Sequence, residues 1–226
     1  MGKCQRVETA EERETGKRVM VGPAPRQSLP PCAELPAPAL SSVKSVAVVG
    51  NGPSAAGRGE LIDSHDYVIR CNDWREAFPG GEAGTKADAV CLWPSCPPHT
   101  LSRAEIWMST PRDGKKLPDV QVPARWVSNR TYMALRERLL RLHKANPNAH
   151  DCWPSTGLVA LAMGLQMRSE SLTLIGFDAT LKSAPGWGEY AGVNTWLDVT
   201  GHDFVAEKKL IGKMVVADER IKWVRL

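Results

Sequence analysis

Apolar residues along this chain fall into short runs that stop abruptly at glycine, proline or small polar residues. Residues 46–49 read Val-Ala-Val-Val and run straight into Gly50, Asn51 and Gly52. An apolar run of that length, with no polar alternation, predicts a strand buried on both faces of a parallel sheet. A second such strand is expected at 67–70, ending on Asn72, and another at 172–175, ending on Gly176 and Phe177. Residues 158–167 are apolar on nearly every side of a helix, so that helix must be buried. Residues 130–144 differ. Tyr132, Leu135, Leu139 and Leu142 line one helical face among basic residues, which predicts a docked helix with a solvated side.

At two of these junctions, small residues with free backbone N–H groups stand where a strand and a helix meet. Gly50 and Gly52 permit positive φ and close approach to the main chain, and Asn51 adds an amide that donates and accepts. The second junction runs the other way: Pro154 precedes a helix start at Ser155, Thr156 and Gly157. A hydroxyl there caps the helix, and the same N–H groups suit a phosphate. Both corners thus point to an anionic ligand, a nucleotide, with a plain turn and a plain N-cap as the structural alternatives.

The segment SVKSVAVVGNGPSAAGRGELIDSHDYVIRCN, residues 42–72, resembles the large motif of glycosyltransferase family 29, the sialyltransferases. That motif reads C-A-V-V-G-N-x-G, then I-D-S-H-D-x-V-x-R-x-N, then D-V-G-T-K; the matching residues are 47–51, 62–66, Val68, Arg70, Asn72 and 84–86. The family's small motif, P-S-[ST]-G-L with a later strand closing on G-F, matches 154–158 and Gly176-Phe177. Its very small motif, H-x4-E, matches His202 to Glu207. The resemblance spans 45–215 with the motifs in order.

The resemblance implies an α/β, Rossmann-like fold with a mostly parallel sheet and helices on both faces, a variant of the GT-A glycosyltransferases. It implies transfer of a keto-acid sugar, sialic acid or a relative such as Kdo, from a CMP-sugar to an acceptor hydroxyl in one inverting displacement. Gly50, Asn51, Gly52, Asn72, Ser155, Thr156, Gly157, Gly176 and Phe177 are the expected donor-binding residues, and His202 the base, with Asp203 as the alternative. Histidine suits that task because its unperturbed pKa lies near neutrality. Glu207 is assigned to structure, bracing the following helix through its first turn.

The chain also departs from the family. Val46 stands at the motif's cysteine and Ser169 near its disulfide partner, a double loss that fits a reducing compartment. No apolar run reaches the 18 or so residues of a membrane span, so a soluble, cytoplasmic protein is expected. The family's third motif has only a poor counterpart at 187–190, Trp-Gly-Glu-Tyr, which leaves a catalytically inactive CMP-sugar binder as an alternative.

With 226 residues, 42% hydrophobic and 24% charged, the chain suits one catalytic domain over 45–226. Residues 1–44 hold six of the 17 prolines without apolar periodicity and read as a disordered tail. Arg6 stands where a myristoylation signal needs Ser or Thr, and a net charge of +4 demands no nucleic-acid partner. Cys91, Cys96 and His99, with His150 and Cys152, lack paired zinc spacing, and there is no D-x-D pair. No metal and no cofactor are therefore expected in the transfer. The rival from another class is an NAD- or FAD-type dinucleotide module, because 50–55 satisfies G-x-G-x-x-A and Asp73 follows at a ribose-binding distance.

Overall fold

The computed structural model describes residues 43–93, 104–110, 124–143, 152–178 and 202–225. All of these lie in one compact unit. Seven strands form one sheet: β1 Ser45–Val49, β2 Tyr67–Cys71, β3 Ala89–Leu92, β4 Glu105–Met108, β5 Ala124–Trp126, β6 Ser171–Ile175 and β7 Ile221–Trp223. Their order is β5-β4-β3-β2-β1-β6-β7, and every pairing is parallel.

The helices are α1 Gly59–Asp63, α2 Trp74–Ala77, α3 Asn129–Leu142, α4 Thr156–Gly164 and α5 Phe204–Ala217. One face of the sheet, through Val46, Val48, Ile69, Leu172 and Leu174, packs into a core with α3, α4 and α5. The other face buries Ala47, Val49, Val68 and Ile175 against Ile62 of α1, and Val90, Ile106 and Met108 against Trp74 of α2. Burial on both faces is why the strands read as apolar runs without alternation.

α4 is the buried helix the sequence requires, with Leu158, Val159, Ala160 and Leu161 fully enclosed. It is shorter than the expected 158–167, ending at Gly164 where the chain turns toward β6. Gly164 lets it lie close to the sheet: a Cβ there would stand 3.0 Å from Val48 and 3.3 Å from Ile69. α3 is the docked helix, with Tyr132, Leu135 and Leu139 buried, while Leu142 is only partly covered.

From β1 the chain lays down β2 to β5 on one side, then returns to add β6 and β7 on the other. The reversal falls between β1 and β6, and in open α/β sheets ligands lie outside the carboxyl ends of the strands at such a point. α4 and α5 lead into the parallel strands β6 and β7, so their N-termini face that same edge.

Among the described residues, no helix is long and apolar enough to cross a membrane. The proline-rich tail up to residue 42, the loop parts at 94–103, 111–123 and 182–200, the weak third motif at 187–190, and Cys96, His99 and His150 lie outside the described residues.

Candidate active site

The ends of β1 and β6 close on each other through glycine. The Gly50 amide donates to the Ile175 carbonyl at 2.8 Å and the Gly52 amide to the Gly176 carbonyl at 3.0 Å. A Cβ on Gly50 would lie 2.4 Å from the Gly176 carbonyl oxygen, and Gly176 itself has φ +75. No other residue fits without moving a central strand. Ser54 completes the lock: its amide donates to Asp178 Oδ2 at 2.6 Å, and its hydroxyl accepts from the Gly176 amide at 2.9 Å.

Asn51 follows β1 with its side-chain amide donating to the Cys71 carbonyl at 3.1 Å. Its Oδ1 is buried without a partner, an acceptor that a ligand donor would satisfy. Asn72, at the end of β2, has φ 45, the sole positive φ outside glycine among the described residues. Its Oδ1 accepts from the Trp93 amide at 3.0 Å, so this left-handed position is held by its own side chain.

Gly157 and Phe177 bring the second corner to the first. A Cβ on Gly157 would stand 3.1 Å from the Phe177 ring, and one on Gly50 would stand 3.5 Å from the same ring. Ser155 is the N-cap of α4, its hydroxyl accepting from the Leu158 amide at 3.2 Å. That hydroxyl donates in turn to Glu207 Oε2, and the Ser155 amide to Glu207 Oε1, each at 2.6 Å. Ser155 is thereby fully engaged by protein groups. The N–H groups of Thr156 and Gly157 keep the helix-terminal donor role, with no bond to another described residue.

Glu207 does not brace its own helix, as the sequence suggested. Asp203 does that, capping α5 through the Ala206 amide at 2.9 Å. Glu207 reaches across to α4 instead, and its burial raises its pKa to about 7 against the bonds from Ser155.

His202 lies next to this contact. Its Nδ1 is 2.8 Å from the Trp153 carbonyl. A carbonyl only accepts, so Nδ1 carries the proton and Nε2 is left as the basic nitrogen. Burial lowers the His202 pKa, opposed by the Trp153 bond, and so favours the neutral ring.

Much of the rest of the large motif holds the scaffold together. Arg70, fully buried, donates to the carbonyls of Lys86 and Ala83 and lies over the Trp74 ring. Asp63 accepts from the amides of Thr85 and Lys86, and Lys86 Nζ donates to the His65 and Asp66 carbonyls. His65 joins Thr173 of β6 to the Leu61 carbonyl. Trp107 is core, stacked near Tyr67, whereas Trp93 is 38% exposed.

Sequence reasoning missed the Ser54–Asp178 lock, the Ser155–Glu207 bridge and the pairing of His143 with Asp203. Each joins positions far apart in the chain, and the H-x4-E spacing was the sole signal for any of them. The dinucleotide reading needs a helix opening on its glycines. The structure has there a single 3-10 turn, Pro53–Ala55, and then the five-residue α1.

Residues 24–128, just under half the chain, match the family model described as glycosyltransferase family 29 (sialyltransferase). The large motif lies inside that match, and the small and very small motifs lie beyond it. No curated protein matches the sequence. Among solved structures, the fold is similar to that of a mammalian sialyltransferase in complex with Gal-beta-1-3GalNAc-ortho-nitrophenol. The TM-score is 0.54 at 20% identity, covering 82% of this chain and 70% of that one. A second mammalian sialyltransferase structure gives a TM-score of 0.53 at 19% identity over the same shares. Over residues 24–128 the chain is thus similar to glycosyltransferase family 29, the sialyltransferases.

Proposed function

We propose that this protein transfers a keto-acid sugar, sialic acid or a relative such as Kdo, from a CMP-sugar donor to an acceptor hydroxyl, using a variant of the GT-A glycosyltransferase fold. One observation carries this reading: an unpartnered buried acceptor on Asn51, the N-terminus of α4 and His202 before α5 all lie at the carboxyl edge of the sheet, where strand order reverses between β1 and β6.

In this reading Asn51 and Asn72 hold the nucleotide, with Gly50, Gly52, Gly176 and Phe177 shaping the floor beneath it. The N–H groups of Thr156 and Gly157 face the phosphate, where negative charge grows as the bond to the sugar breaks. Ser155 and Glu207 fix those donors rather than touching the ligand. His202 Nε2 takes the proton of the acceptor hydroxyl as its oxygen forms the new bond to the anomeric carbon and CMP leaves from the opposite side. Protein donors do the work a cation does in other transferases, so the reaction needs no metal. Asp203 is the alternative base, though its carboxylate is already engaged by Ala206 and His143.

The same reading takes 45–226 as one catalytic domain and 1–44 as a tail, although the family match reaches back to residue 24. The same reading takes the protein as cytoplasmic.

Calorimetric titration with CMP, with UMP, GDP and NAD as controls, tests the donor. Selective CMP binding is expected, and binding of NAD instead would return the dinucleotide reading. His202→Ala should remove turnover of the CMP-sugar while CMP affinity stays within about threefold of the parent, as befits a group acting on the acceptor side. Weakened CMP binding with turnover preserved would refute the base assignment.

A further inference from the structure

Behind His202, three helix boundaries meet. His143 ends α3, Cys152 stands in the segment before α4, and Asp203 caps α5. His143 Nδ1 is hydrogen-bonded to Asp203 Oδ2, and Cys152 is buried, 2% exposed. One nitrogen, one sulfur and one carboxylate oxygen from these residues lie within 4.8 Å of one another.

We propose that His143, Cys152 and Asp203 form a Zn2+ site that clips the end of α3, the approach to α4 and the start of α5 together. An imidazole, a thiolate and a carboxylate form a donor set typical of zinc, and three protein ligands leave one tetrahedral position for water. Around an ion the direct His143–Asp203 hydrogen bond would open to let both groups bind the metal, with Cys152 closing on it from the side. The His143–Asp203 pair alone gives no reason for a thiol at its side. Binding releases the thiol proton to solvent as the sulfur–zinc bond forms, and the imidazole proton that faces Asp203 is exchanged through solvent to the His143 ring nitrogen turned away from the ion. The ion stands apart from the transfer chemistry: it holds the cap residue Asp203, and with it the orientation of the adjoining His202. The ligand spacing in the chain, at 143, 152 and 203, matches no zinc motif, which is why the sequence does not announce the site.

Full-length protein stripped with a chelator and titrated with Co2+ tests the proposal. A thiolate-to-cobalt charge-transfer band should appear, saturate at one equivalent and vanish on adding Zn2+. Cys152→Ser should abolish it. His143→Gln and Asp203→Asn should each weaken Co2+ binding at least about tenfold, a loss that even outer-shell partners can cause. Asn remains a good N-cap, so Asp203→Asn preserves the start of α5, which circular dichroism checks. No band in the parent protein, a band that survives Cys152→Ser, or binding indifferent to both other substitutions would overturn the site.

Discussion

Glu207 shows how much one side chain can govern here. Its carboxyl is 4% exposed and holds both the amide and the hydroxyl of Ser155, the residue that starts α4. Desolvation outweighs those bonds and lifts its pKa to about 7, from 4.5 when unperturbed. Between these two values the folded protein binds the proton that the unfolded chain releases. The stability linked to this group is therefore fully present below about 4.5 and is lost as pH rises through about 7, an effect on the order of 3 kcal/mol. Glu207→Gln keeps a polar group in the same space without the charge. Denaturant melts from pH 4.5 to 7.5 should show a flatter stability profile in that variant, and an unchanged slope would remove Glu207 as its source. The spacing of H-x4-E marked this residue in the sequence. Its partner, 52 positions away in the chain, appears only once α4 and α5 are packed.

α4 carries the second corner, and its position is set by packing. Its residues are apolar nearly all round, so it can be stable only when enclosed, and the sequence said so. The sequence did not say how closely it approaches the sheet. A Cβ on Gly164 would stand 3.4 Å from Leu172 as well as close to Val48 and Ile69, so the last turn rests directly on β1, β2 and β6. Gly164→Leu should destabilise the fold by about 1–3 kcal/mol through overpacking, partly offset by better helix propensity. Because it would lift the helix, CMP affinity should fall along with the melting temperature. A variant as stable as its parent, with intact binding, would show that the helix does not need this close seat. α3 offers a contrast: its apolar stripe was legible residue by residue, because one exposed side preserves the helical period.

At the scale of the whole molecule, the reversal of strand order gathers groups from the beginning, middle and end of the chain. The large motif supplies Asn51 and Asn72, the small motif supplies the α4 N-terminus, and the very small motif supplies His202. A ligand bound there bridges β1, α4 and the start of α5, and anything bound only by the folded state raises its stability. CMP at about a hundred times its Kd should add about 2.7 kcal/mol and raise the melting temperature by several degrees. UMP should do less, and equal shifts from every nucleotide would mean that the site reads phosphate alone.

By itself the sequence determined the buried strands 46–49, 67–70 and 172–175, the enclosed helix before the last of them, and the motif residues at the carboxyl edge. These depend on local chemistry: runs of apolar side chains, glycines at corners and a hydroxyl at a helix start. Tertiary structure alone decided which motif residues keep a polar atom open and which hold the scaffold. Arg70, Asp63 and Lys86 look as polar as Asn51 in the sequence, yet they are spent on the loop at 83–86, while Asn51 keeps an acceptor open. It also decided that Ser155 belongs to Glu207 and that His143, Cys152 and Asp203 converge. A hydrogen bond or a ligand cluster depends on distances between segments, and order along the chain does not contain them until the sheet and its helices have closed.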